Sequence, residues 1–186
     1  MLLLAVGVGL FVAAHLVPAI PPLKAGISDA VGQRFYGPLF GGVATAALLL
    51  IVFGWRLSDF VPVYEPPAWG RHVNFALTAV AFICLGIFIF RGSWRQVLRF
   101  PLAIGVVFWA AGHLLANGDL ASLILFGGML GYGLAFLALG FATGARPTPE
   151  VRSGHDLLSC LSGIALYVAM TQLHPLVTGV PVLALW

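Results

Sequence analysis

Apolar residues occur in six long runs, parted by short stretches rich in proline, glycine, arginine and aromatics. The runs cover residues 2–20, 37–55, 73–90, 101–117, 120–143 and 157–173. Each is close to the roughly 20 residues that a helix needs to cross the hydrocarbon core of a bilayer. In lipid the backbone must satisfy its own hydrogen bonds, so each run is predicted to be a helix. Pro18, Pro21 and Pro22 close the first run, because a helix interior tolerates proline poorly. Pro101 opens the fourth at a favoured first-turn position. Between runs, 24–36 reads as a short polar segment, and RLSDFVPVYEPPAWGRH (56–72) as an interfacial loop. The tail HPLVTGVPVLALW (174–186) reads as short, apolar and interfacial.

Composition sharpens this pattern. Of the 186 residues 61% are hydrophobic and only 8% charged, against roughly 25% charged in a soluble domain. The expected fold is therefore all-α: a polytopic integral membrane protein of about six transmembrane helices, forming a single membrane domain over 1–186. The net charge of +3 is scattered over short loops, so it reports topology rather than nucleic-acid binding. Loops after the first, third and fifth spans hold Lys24, Arg34, Arg91, Arg95, Arg99, Arg146 and Arg152; the other side holds Arg56 and Arg71. Seven against two is a positive-inside signal that puts both termini outside, in a bacterial inner membrane. Residues 1–20 lack a basic leader and read as a retained span. Cys84 and Cys160 both fall within apolar runs and read as buried small hydrophobes.

Candidate chemistry lies in WAAGHLLANGDLASLILFGG (109–128), where a histidine stands deep in an apolar run that ends at Asn117-Gly118-Asp119. An ionisable side chain at membrane depth marks a site by default. At 1.5 Å per residue, His113 lies about 18 Å past Pro101. His15 lies in the inner half of the first span, whereas His72, His155 and His174 fall at span ends and read as interfacial. Three readings of His15 and His113 stay open on spacing alone. They are neutral imidazoles bonded to backbone or to each other, a proton relay, or axial ligands of haem iron. A relay wants acidic partners, and no Asp or Glu lies within a span. Haem is favoured by the small residues Ala13, Ala14, Ala111 and Gly112 before the histidines, and by Phe11 and Trp109 one turn back. Arg34, Arg95 and Arg99 offer cations for haem propionates, and Tyr36 joins them as a weaker candidate. Asn117, at i+4 from His113, is placed to touch the imidazole or to cap the helix, and Asp119 is placed as N-cap of the fifth span.

HLLANGDLASLILFGG (113–128) resembles the signature of the NnrU family of membrane proteins. The likeness extends to HLVPAIPPL (15–23), Gly32-Gln33-Arg34-Phe35-Tyr36, Pro66 to Trp69 and the closing HPLVTGV (174–180). The family is associated with denitrification and includes zeta-carotene isomerases that carry haem b. The resemblance implies haem b iron held by His15 and His113, with Asn117, Arg34, Arg99 and Trp109 around it. It implies either polyene isomerisation, with a hydrophobic polyene substrate from the lipid, or a redox or gas-responsive role. Phe100 stands where relatives commonly have histidine, and Ala110 where the isomerase branch has cysteine three residues before its second ligand. A membrane methyltransferase using S-adenosylmethionine, which shares an Arg-His-Pro helix opening, is the alternative, and a non-enzymatic assembly role another; Phe100 departs from that opening.

Overall fold

With no water to bond the backbone inside lipid, regular helices are the expected answer, and helices dominate. A computed structural model describes residues 1–146 and 150–182. They form α1 (Leu2–Leu16), α2 (Pro21–Val31), α3 (Gln33–Arg56), α4 (Gly70–Phe90), α5 (Trp94–Leu98), α6 (Pro101–Ala116), α7 (Leu120–Ala142) and α8 (His155–Thr178). A single isolated bridge, Pro62 to Asp119, is the sole extended pairing among the described residues. Five of these helices are long and apolar enough to cross a membrane. The sixth apolar helix, α6, has 16 residues and lies between α4 and α7. The protein is thus an all-α polytopic membrane protein, and large side chains such as Leu2, Phe53, Leu161 and Val168 face outward to lipid.

Several boundaries differ from the sequence reading. The first run ends as a helix at Leu16 and continues through a 3₁₀ turn, Val17–Ala19. The supposed polar segment after it is largely α2, because Pro21 and Pro22 occupy the first helical positions, where a missing N–H costs nothing. Between α4 and α6 the arginine-rich stretch winds into α5. The tail is not simply interfacial: α8 continues through Pro175 to Thr178 and ends at Gly179, whose left-handed backbone (φ 80°) turns the chain back. Residues 147–149 of the last long loop and 183–186 of the tail lie outside the described residues.

The helices pack side by side in the order α3, α1, α7, α6, α4, α8, and α8 returns to meet α3 only sparsely. On one side, Leu4 and Val8 of α1, Ile51 of α3 and Leu125, Phe126 and Met129 of α7 form the core, joined by Ala110 of α6. Small residues let helices close in; a Cβ on Gly7 would lie 2.8 Å from the Ile51 nitrogen. At the end of the bundle carrying Asn117, the α3–α4 loop lies on the α6–α7 turn. Val63 and Tyr64 donate their N–H groups to the Gly118 carbonyl at 2.8 and 3.0 Å, and Leu120 N–H donates to Val61 at 2.8 Å. The Tyr64 hydroxyl reaches the Leu114 carbonyl and, at 2.7 Å, that of Asn117. Gly118 permits this seat, since any Cβ there would collide with the Tyr64 carbonyl. Burial, and then the nearby Asp119 carboxylate, hold the Tyr64 phenol above its ordinary value.

Candidate functional site

Helices α3, α4, α6, α7 and α8 surround a cavity of about 510 Å³, within the range of small-molecule and cofactor pockets. Its walls are mostly apolar, with Ile51, Trp55, Phe82, Trp109, Phe126 and Met129 among them. Polar groups come from two stripes: Arg71, Asn74 and Thr78 on α4, and Tyr167, Thr171, His174 and Thr178 on α8. His113 and Asn117 of α6 complete the polar lining.

His113 stands one turn before the end of α6. Its Nδ1 is 2.8 Å from the Trp109 carbonyl. A carbonyl only accepts, so Nδ1 carries the proton and Nε2 is left with its lone pair. The ring stacks on Phe126 with centroids 4.4 Å apart and tilts against Trp109 at 5.2 Å. His174 repeats the arrangement on α8: its Nδ1 is 2.8 Å from the Val180 carbonyl, beyond the Gly179 turn. Thr178 Oγ1 lies 3.1 Å from the same nitrogen.

The two imidazoles line one cavity from either side of α4. A Cβ on Gly112 would lie 2.7 Å from Asn74 Oδ1, so His113 sits beside the Asn74 turn of α4. On the other flank Phe82 of α4 meets Tyr167 of α8 at 6.0 Å between ring centroids. Gly163 of α8 lies against Phe82 and Ile83 of α4, so the antiparallel register sets His174, eleven residues on, beside Arg71 and His72. Both histidines therefore flank the first turns of α4 and share the cavity.

His15 is elsewhere. Its Nδ1 bonds the Phe11 carbonyl at 2.8 Å, and its ring packs on Phe11, Phe40 and Tyr132. Its α7 neighbour, Tyr132, is six residues past Phe126, the neighbour of His113. At 1.5 Å and 100° per residue, that puts them about 9 Å apart in depth and about 120° apart around α7. The structure does not bring His15 and His113 together, because α7 separates them and α1 does not line the cavity.

The remaining residues singled out from the sequence divide. Trp109 lines the cavity. Asn117 lines it too, but its amide donates to the His113 carbonyl at 2.8 Å rather than to the ring, so it caps α6. Asp119 caps α7, accepting from the Ser122 N–H at 3.0 Å and its hydroxyl at 2.6 Å. Arg34 and Arg99 do not line the cavity. Arg34 lies over Phe35, and Arg99 donates to the Ala145 carbonyl at 2.7 Å and lies over Phe141. Phe100 packs edge-on against Phe136 and Phe141 in an aromatic cluster. Cys84 and Cys160 are free thiols outside the cavity lining. Sequence reasoning missed His174 and Arg71. The signal for His174 was the 4-3-4 spacing of Tyr167, Thr171, His174 and Thr178, which aligns them on one helix face.

Among the described residues no three His, Cys, Asp or Glu side chains gather as an ion site. The donor set is two imidazoles lining one cavity. No curated protein and no solved structure matches the chain. The family model described as NnrU protein matches residues 3–182. With nearly its whole length matched, this chain belongs to the NnrU family.

Proposed function

We propose that the chain is a haem b-binding membrane protein whose iron is held by His113 and His174. The observation that carries this reading is their sharing of one cavity, each with Nδ1 bonded to a carbonyl and Nε2 left with its lone pair. A haem needs only two protein ligands, and a second bond that fixes the tautomer is the usual companion of a ligating imidazole. His15 has a suitable tautomer but lies across α7 from the cavity. His174 therefore replaces it as the partner of His113.

A bound haem supplies one-electron chemistry or gas binding at its iron. The chain's part is to orient the two rings through Trp109 and Val180, to exclude water with the apolar walls, and to stack Phe126 on His113. The function these features favour is redox or gas-responsive, in keeping with the family's association with denitrification. Haem-dependent polyene isomerisation is a second reading. It is favoured by the apolar lining and by the sparse α3–α8 seam, through which a lipid-dissolved ligand can enter. A sulfur ligand exchange three residues before a ligand is excluded, because Ala110 precedes His113 and Thr171 precedes His174 at that distance.

The test is the visible spectrum of the purified protein, oxidised and reduced. The expected result is a low-spin haem that His113→Ala and His174→Ala each abolish and His15→Ala keeps, with all three variants accumulating in the membrane. A spectrum lost with His15→Ala and kept with His174→Ala would overturn the pairing. Carotenoid isomerisation by the loaded protein would decide for the second reading.

A further inference from the structure

Haem b has an apolar body with two carboxylates at one edge, so a site for it needs a cation at one end of an apolar cavity. The sequence offers arginines mainly at the bundle end remote from Asn117, and Arg34, Arg95 and Arg99 there do not line the cavity. Arg71 does, and among the described residues it is the only Lys or Arg in the lining. It stands in the first turn of α4, beside His174 by the register of α4 and α8 and one turn outward from Asn74, beside which His113 sits. Its side chain is exposed at the mouth, so its charge stays hydrated and burial costs little. The guanidinium carbon lies 5.6 Å over the Phe75 ring, which aims the group along the cavity wall. Nη2 donates to the Val182 carbonyl at 2.9 Å. That uses one of five N–H donors and leaves others for a carboxylate, which a planar guanidinium matches with two parallel bonds.

Resting on the haem reading above, we propose that Arg71 binds a propionate of the haem at the mouth of the cavity. It is a positioning residue: it does not touch the iron, and it fixes which edge of the macrocycle faces the Asn117 end. Arg71 thereby also ties the cofactor to the segment after α8, since the same guanidinium holds Val182.

The experiment compares haem with haem dimethyl ester, whose propionates are neutral, on the 186-residue chain produced without haem and kept in detergent. The readout is the rate at which each pigment is lost to an excess of acceptor protein. Wild type should lose the ester about tenfold faster than haem, the size expected for one charge-assisted bond. Arg71→Gln should lose both at the ester's rate while keeping the low-spin spectrum, and Arg71→Lys should fall between. If Arg71→Gln speeds the loss of both pigments equally beyond wild type, Arg71 acts by holding the tail and the proposal is overturned. Equal loss of haem and ester from wild type overturns it as well, leaving the haem reading intact. If wild type takes up neither pigment, the haem reading fails and this inference fails with it.

Discussion

Replacing Asp119 by alanine removes the cap of α7, whose first two turns hold Phe126 against His113. The carboxylate is 9% exposed and accepts two bonds from one residue, the Ser122 N–H at 3.0 Å and its hydroxyl at 2.6 Å. Losing an N-cap costs about 1 kcal/mol, and up to about 2. Ser122 is fully buried, so its hydroxyl is then stranded, at about 1–3 kcal/mol. The expected loss is about 2–5 kcal/mol. Ser122→Ala removes the hydroxyl but keeps the backbone bond, and should cost about 1–2 kcal/mol. Because both residues share one bond, the double variant should cost less than the sum of the two by about 1 kcal/mol or more. Reversible unfolding in mixed detergent micelles, followed by helicity and tryptophan fluorescence, measures all three. Strict additivity would refute the shared bond, and a loss for Asp119→Ala below about 0.5 kcal/mol would refute the cap.

Two further outcomes follow from hydrogen bonds around the same turn. On the haem reading, Asn117→Leu should leave the spectrum unchanged and lower stability by about 1 kcal/mol, since its amide bonds the His113 carbonyl and not the ring; a shifted spectrum would mean it acts on the imidazole. Tyr64→Phe should cost about 1 kcal/mol and loosen the α3–α4 loop, seen as faster amide exchange at Val63. Only the neutral phenol donates, and its pKa lies above the ordinary tyrosine value. The bond is therefore intact through the ordinary tyrosine range and is lost as pH rises through the raised value. A Val63 exchange rate that is the same in Tyr64→Phe as in wild type would refute the role of the hydroxyl.

The fourth and fifth spans were legible almost to the residue, because Pro101, Asn117-Gly118 and Asp119 are local signals that act within one helical turn. Helix α2 was hidden by Pro21 and Pro22, since the same residues end one helix and begin the next. His113 was legible as a polar group of the bundle interior, where it lines the cavity, because it stands twelve residues into an apolar run. Its neighbour across the cavity was not: the order of helices in the bundle is a long-range fact, and the small residues around His15 suit close packing of any helix equally well. His174 looked interfacial because Pro175 follows it, yet the helix runs one turn further. Arg71 was counted for topology alone, although with Asn74 and Thr78 it forms a polar stripe on one face of α4.

The order of helices around the cavity has a consequence for biosynthesis. Nearly every extensive packing pair is complete once α7 has been made: α1 with α3, α4 with α6, α6 with α7, and α1 with α7. Only α4 with α8 is left. A nascent chain halted before α8 has thus acquired most of its tertiary contacts but holds an open trough, with His113 and Trp109 on one bank and Trp55 on the other. Helix α8, made after the others described, supplies the missing wall, and the segment after it covers the mouth. Whatever occupies the chamber can be laid in from the membrane side while the trough stands open, and enclosure then comes with the arrival of α8 rather than with a later rearrangement.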